Sequence, residues 1–262
     1  MPARRDNGAS ITVLAVVAHP DDESLACGGT LARLSDAGVR TVLMCASAGE
    51  RGALTGPARD NDLGRIRARE LRQAAEVLGV RDLLTFDHPD GELRWAEVTD
   101  LLAEIVMTAR RFKPAAVITF GADGLYWHLD HIGVHERTTA AMQLLGVDAP
   151  PLYYVTMPLG AMPAIVEHAT ARGWTPPSKG FWSLTPEAFG LAAEPPTLSV
   201  DVGAWAARKL AAIRCHRSQT GPNDPFALLD DEGARRWLGI EHFHHAPHGG
   251  SQEPVLESIL CT

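Results

Sequence analysis

Four cysteines are all this 262-residue chain holds, and Cys27, Cys45, Cys215 and Cys261 are scattered without a Cys-x-x-Cys pair. That spacing argues against a disulfide framework and a structural zinc knuckle, and it suits a reducing compartment. Basic charge is also short: 24 Lys and Arg stand against 32 Asp and Glu, a formal net charge of −8. No basic stripe is available to meet phosphates, so a nucleic-acid partner is not expected. Long apolar runs are missing as well. None approaches the roughly 20 residues that cross a bilayer, and Met1 to Ser10 carries no apolar segment, so the expectation is a cytoplasmic protein without a membrane partner. Three catalytic or nucleotide-binding signatures are absent too. No Gly-x-Gly-x-x-Gly, no Gly-x-x-x-x-Gly-Lys-Ser/Thr and no Gly-x-Ser-x-Gly occurs, Ser47 lying instead in Cys45-Ala46-Ser47-Ala48-Gly49.

What is present is a soluble globular composition, 45% hydrophobic and 21% charged, with enough chain for one sizeable core. Strand-like runs at 11–18, 39–46, 82–86 and 115–120 alternate with helical patterns at about 28–37, 64–78 and 95–112. This βαβ rhythm, with near-continuous apolar strands such as Ala115 to Phe120, predicts an α/β fold: a Rossmann-like parallel sheet with helices on both faces. A further helix is expected over about 132–145, stopped by Gly146, and a strand over about 152–157. Residues 158–196 are rich in Pro, Gly and Trp without clear period and read as a cap. One domain therefore spans 1–262, with a core over about 11–157 and a cap and C-terminal elements over about 158–262. The tail histidines His242, His244, His245 and His248 read as surface residues rather than a metal site.

Two clusters carry chemistry. Ala18-His19-Pro20-Asp21-Asp22-Glu23 follows the first strand, and Tyr126-Trp127-His128-Leu129-Asp130-His131 follows the fourth. Ligands of open α/β sheets bind beyond the carboxyl ends of the strands, so both clusters fall where chemistry happens. Pro20 cannot continue a central strand, and the turn it forces lets His19 and Asp22 converge. With His131 they form a candidate three-ligand Zn2+ site that keeps a position for water. Imidazole and carboxylate suit Fe2+ equally. Asp21 then stays free as general base, and His128 as oxyanion stabiliser or general acid, with Asp130 fixing its tautomer and raising its pKa.

Plainer readings compete. The Asp-Asp turn can simply cap a helix. His131 and His135, four apart, can share a helix face and ligate together. Gly28-Gly29-Thr30 opens a helix whose N-terminus attracts anions.

Taken together, AHPDDE, the Gly49-Glu50 turn, His128-Leu129-Asp130-His131 and the late His216-Arg217-Ser218-Gln219 resemble the LmbE/PIG-L family of metal-dependent de-N-acetylases over about 11–243. The resemblance implies the same ligands, base and oxyanion residue. It further implies that Arg67 and Asp90 bind the sugar, with Glu50 as another substrate contact, and that Tyr126 touches the reacting carbonyl. The implied activity is zinc-dependent removal of N-acetyl from a GlcNAc-type moiety of a small-molecule amino-sugar glycoside. An amidase on a larger thiol-sugar conjugate and a non-catalytic sugar-binding module are the alternatives, and homo-oligomerisation stays open. One departure bears on substrate: the mycothiol-pathway enzymes carry a second glutamate shortly after their Gly-Glu turn, where this chain has Arg51-Gly52-Ala53. Local readings of the outer residues also remain: Arg67 paired with Glu70 or Glu76 on a solvated face, Asp90-Gly91 as an ordinary turn, Glu50 on backbone, and His216 as a buried partner.

Overall fold

The computed structural model describes residues 11–53, 62–95, 98–178, 181–221, 224–226, 228–246 and 255–260. Five strands, β1 (Thr12–Val17), β2 (Arg40–Cys45), β3 (Asp82–Thr85), β4 (Ala116–Phe120) and β5 (Leu152–Thr156), alternate with helices α1 (Asp22–Asp36), α2 (Leu63–Leu78), α3 (Val98–Phe112), the short irregular α4 (Gly124–Trp127) and α5 (Leu129–Leu145). After them come α6 (Ala161–Thr170), β6 (Leu198–Asp201), α7 (Ala206–Ile213), α8 (Asp231–Leu238), β7 (Ile240–Ala246) and α9 (Val255–Leu260).

The sheet runs β3-β2-β1-β4-β5-β7-β6. Its first five strands are parallel, as the apolar runs require; β1, β4 and β5 are buried along their whole length. The chain steps outward in one direction from β1 to β3 and in the other from β4 to β5. Where that direction reverses, the β1 and β4 termini lie side by side, which is the crevice position for a ligand site.

Two departures from the sequence reading have physical causes. The edge strands β7 and β6 pair antiparallel with β5 and with each other, and β7 contains three of the four tail histidines. Glu241 and Phe243 are buried on one face of that strand, which His245 shares, and Ala246 is buried on the other; the three histidines are half-buried, His245 stacking on Tyr153 with ring centroids 4.8 Å apart. His248 lies outside the described residues. The first helix also begins earlier than its glycines suggest, at Asp22, and breaks at Cys27 (φ −147°, ψ 19°).

That break frees backbone N–H groups inside the protein, where they need acceptors. Glu241 supplies them: one carboxylate oxygen accepts from Gly29 N at 2.8 Å and the other from Thr30 N at 2.7 Å. Lys209 Nζ donates to the same carboxylate at 2.6 Å, both side chains being almost wholly buried. The anion attracted by Gly28-Gly29-Thr30 is thus the chain's own carboxylate. A Cβ on Gly29 would sit 2.6 Å from Val202 Cγ2, so glycine lets α1 pack this closely against the C-terminal half.

Removing Lys209 leaves Glu241 charged and without its cation in the core. Lys209→Met should lower unfolding free energy by about 3–5 kcal/mol. Urea denaturation of the two proteins measures it, and an unchanged midpoint would mean that the pair carries no stability.

Candidate active site

Pro20 ends the β1 extension, and the next residue takes a backbone conformation rarely adopted by non-glycine residues, Asp21 at φ 116° and ψ −29°. Buried Glu23 holds it there: Glu23 Oε2 accepts from Asp21 N at 3.0 Å, while Glu23 Oε1 takes Ser24 Oγ at 2.5 Å and His216 Nε2 at 2.7 Å. Asp22 turns back over the loop and accepts from His19 N at 2.8 Å. On the other side, α4 and the start of α5 deliver His128 and His131, with positive φ at Leu125 (67°) and Trp127 (66°).

The protons of the two imidazoles are pinned by groups that can only accept. His131 Nδ1 faces the Gly124 carbonyl at 3.1 Å, so it carries the hydrogen and leaves a lone pair on Nε2. His19 Nε2 faces Asp130 Oδ2 at 2.9 Å and Asp90 Oδ1 at 3.1 Å, which puts its lone pair on Nδ1. Both lone pairs look toward Asp22. Its Oδ1 lies 3.1 Å from His131 Nε2 and its Oδ2 lies 3.5 Å from His19 Nδ1. The His131 Nε2 contact is within ion-pair distance yet fails hydrogen-bond geometry, leaving that buried nitrogen without a partner.

With both rings neutral, two imidazole lone pairs and one carboxylate face one another, and a set of two imidazoles and one carboxylate fits zinc or iron. Without an ion the site takes up protons in its place. Burial alone would lower His19, but hydrogen bonds to Asp130, Asp22 and Asp90 hold it well above the ordinary imidazole value. Burial would raise Asp22, and His131 and His19 instead hold it well below the carboxylate range. The site draws positive charge. The groups whose donor atoms all fall within 4.8 Å of one another do not include Asp22: they are His19, His128 and His131, and His19, Asp90 and Asp130. His128 Nδ1, however, already accepts from Asp130 N at 3.3 Å, and the Asp130 carboxylate accepts from Gly91 N, Leu93 N and His19 Nε2.

That last set of bonds corrects one expectation. The Asp130 carboxylate does not reach His128; it orients His19 instead, because at the start of α5 it points toward the β1 turn while His128 caps the helix. His128 is likewise not raised in pKa. Burial, then His131 and His19, push it down to about 4, so it is neutral at pH 7 with its hydrogen on Nε2. It is a donor for an oxyanion. His135 does not join His131: its Nδ1 donates to the Phe120 carbonyl at 3.0 Å.

Arg67 and Glu70 share the buried face of α2 with Leu63, Leu71, Ala74 and Leu78, so Arg67 is no partner of a solvated Glu70. Its Nη1 donates to Gly49 O at 2.7 Å, and its Nη2 donates to Pro20 O at 2.6 Å and to Asp21 Oδ2 at 3.1 Å. Burial raises the Asp21 carboxyl while the guanidinium pulls it down. A Cβ at Gly52 would lie 2.5 Å from Arg67 Nη1, so that glycine makes room for the guanidinium. Glu70 accepts from Ser218 N at 2.9 Å and Ser218 Oγ at 2.6 Å, docking the 216–219 segment at the site. Asp90 Oδ2 accepts from Arg51 N at 2.8 Å; burial would raise the carboxyl, but His19 brings it down to about 2. Glu50 takes its backbone reading, accepting from Asp90 N at 3.0 Å.

These groups open on a cavity of about 730 Å3. His19, Asp21, Asp22, His128, His131, Arg67, Asp90 and Tyr126 all line it, as do His216 and Gln219; Glu50 does not. Tyr126 packs edge-on to His128, His131 and Phe181. The cap contributes Phe181, Trp182 and Phe226, residues that the sequence reading of a cap left unnamed, with the Trp182 indole N–H donating to Asp224. Sequence reasoning also missed Glu23, the last letter of the first cluster, as the residue that fixes Asp21.

Comparison with known proteins places this architecture. The family profile described as GlcNAc-PI de-N-acetylase (PIG-L) matches residues 14–142. A deacetylase from Thermobispora bispora, named for 1D-myo-inositol 2-acetamido-2-deoxy-alpha-D-glucopyranoside, is 30% identical over 266 residues, covering 88% of this chain and 86% of its own. The chain belongs to the PIG-L/LmbE family of N-deacetylases, enzymes that hydrolyse amide bonds. Among solved structures, N,N'-diacetylchitobiose deacetylase from Pyrococcus horikoshii superposes with a TM-score of 0.63 at 23% identity, covering 91% of this chain and 84% of that one. The 4-carboxy-2-hydroxymuconate hydratase GalB from Pseudomonas putida superposes at 0.62 and 22%, covering 89% and 95%. The same fold thus carries different chemistry. Among the described residues no helix is long and apolar enough to cross a membrane.

Two outcomes test the geometry. Asp130→Asn should weaken metal affinity about 10–100-fold by loosening His19, measured by competition with a chromophoric chelator; unchanged affinity would remove Asp130 from the site. Arg67→Met takes away the charge that lowers Asp21, so the acid limb of kcat/KM should move to higher pH; a limb that stays put or moves down would contradict the pairing.

Proposed function

We propose that this protein is a metal-dependent hydrolase that removes the N-acetyl group from a GlcNAc-type amino sugar in a small-molecule glycoside, releasing acetate and the free amine. One observation carries the reading: the lone pairs of His19 Nδ1 and His131 Nε2 both turn toward the Asp22 carboxylate, with an independently anchored carboxylate, Asp21, on the same cavity wall.

His19, Asp22 and His131 are the residues that would hold the ion, Zn2+ or Fe2+; when bound, it polarises the amide carbonyl and acidifies water. Asp21 accepts the proton of the attacking water. Its positive-φ backbone, held by Glu23, and its Arg67 contact fix the carboxylate in one orientation, so little reorganisation is needed at the moment of transfer. His128, neutral and donating from Nε2, stabilises the oxygen that becomes negative as water adds to the acetyl carbon. The C–N bond then breaks, and the proton taken by Asp21 is available to the departing amine. Tyr126 lies beside His128 for the same carbonyl, and Arg67, Asp90 and Gln219 offer polar contacts to the sugar.

The 1D-myo-inositol 2-acetamido-2-deoxy-alpha-D-glucopyranoside named for the bacterial relative is the first glycoside to test, with GlcNAc and diacetylchitobiose beside it. Acetate release from at least one of them should vanish on chelation and return with Zn2+ or Fe2+. Asp21→Asn should keep its metal and lose about 10²–10⁴-fold in kcat, whereas His128→Ala should lose about 10²–10³-fold. Near-wild-type turnover by Asp21→Asn would overturn the assignment of the base. Glycan binding without acetate release by the metal-loaded enzyme would favour a sugar-binding module instead.

A further inference from the structure

The cavity does not end at His128. A second, more open pocket of about 490 Å3 shares Gly91, Tyr126, His128 and Phe181 with the first and is lined by Asp130 as well; Trp127, Leu129 and Leu184 form its apolar wall. These three stay 53%, 41% and 39% exposed, a run of apolar surface beside the catalytic groups that the fold leaves uncovered.

The direction of an amide through the site gives this chamber an occupant. A carbonyl carbon carries the amine on one side and the acyl substituent on the other, about 120° apart. The polar contacts for a sugar, Arg67, Asp90 and Gln219, line the first cavity alone, whereas His128, the donor for the carbonyl oxygen, stands in the wall common to both. With the amine side among those polar groups and the oxygen at His128, the acyl substituent leaves toward Trp127, Leu129 and Leu184. An acetyl methyl covers little of that surface. We infer that the second chamber binds an apolar N-acyl chain longer than acetyl, so that the enzyme also hydrolyses longer N-acyl amino sugars.

The inference rests on the proposed amide hydrolysis and uses the same balance: water oxygen bonds to the acyl carbon, the C–N bond breaks, the amine gains a proton and the chain leaves as its carboxylate. The test measures kcat/KM of the metal-loaded enzyme on N-acetyl-, N-butyryl- and N-hexanoylglucosamine by amine release. Each methylene buried on apolar wall is worth about fourfold, so hexanoyl should exceed acetyl by at least about fivefold. Leu184→Trp, which fills the chamber from a partly exposed position, should cut the hexanoyl-to-acetyl ratio about tenfold. Leu184→Ala, which adds no volume, should lower it about threefold by removing contact. Hexanoyl tenfold slower than acetyl, or a ratio unmoved in both variants, would overturn the inference and leave deacetylation standing. No amine from any of the three substrates, nor from the glycosides named above, would take the hydrolase reading down with it.

Discussion

The contact on which the rest of the site depends is the approach of Asp22 Oδ1 to His131 Nε2, 3.1 Å apart and outside hydrogen-bond geometry. Left alone, two acceptors at that distance in a buried site repel, and a protein tolerates the arrangement only if something positive completes it. Every neighbour enforces the acceptor roles. Gly124 O fixes the hydrogen of His131 on the far nitrogen, and Asp130 fixes that of His19 on its far nitrogen. The juxtaposition in turn exists because β1 and β4 are adjacent in the sheet although separated by two βα units in the chain.

Around that contact, buried carboxylates tie the C-terminal half of the chain to the core. Glu241 of β7 caps the break in α1, Glu23 binds His216, and Glu70 binds the Ser218 backbone and hydroxyl. Each carboxylate joins residues more than a hundred positions apart. Glu23 bonds His216, which lines the cavity, and Glu70 bonds Ser218 beside the lining residue Gln219, so this segment is held by polar bonds rather than by apolar contact alone. In the apolar share of the cap, Phe181 meets both Tyr126 and Trp182 edge to face, Phe189 packs tilted on Tyr126 and Phe226 tilted on Trp182; Phe181, Trp182 and Phe226 line the cavity.

The parallel core was legible because its strands are buried on both faces and read as apolar runs between amphipathic helices, and the two clusters were legible because they follow β1 and β4 directly. Polar groups placed by tertiary contact were harder to read. Arg67 has the spacing of a surface helix pair, and only packing shows that its face of α2 is buried. Asp130 stands two residues from His128 yet serves His19, because α5 turns its side chain away. The β7 strand was hidden by its histidines, which do not look like strand residues until pairing with β5 sets His245 against Tyr153. The cap left no periodic signal at all, its helices being short and its aromatic contacts long-range.

The central claim is that His19, Asp22 and His131 form the metal site, in preference to the neighbouring donors His128, Asp90 and Asp130. X-ray absorption at the metal edge, on protein stripped and reloaded with one equivalent of Zn2+, tests it most directly when wild type is compared with Asp22→Asn and His128→Ala. The account predicts two nitrogen ligands and a carboxylate oxygen at about 2.0–2.2 Å, lost or altered in Asp22→Asn and unchanged in His128→Ala. A shell that loses a nitrogen in His128→Ala, and is indifferent to Asp22, would contradict it.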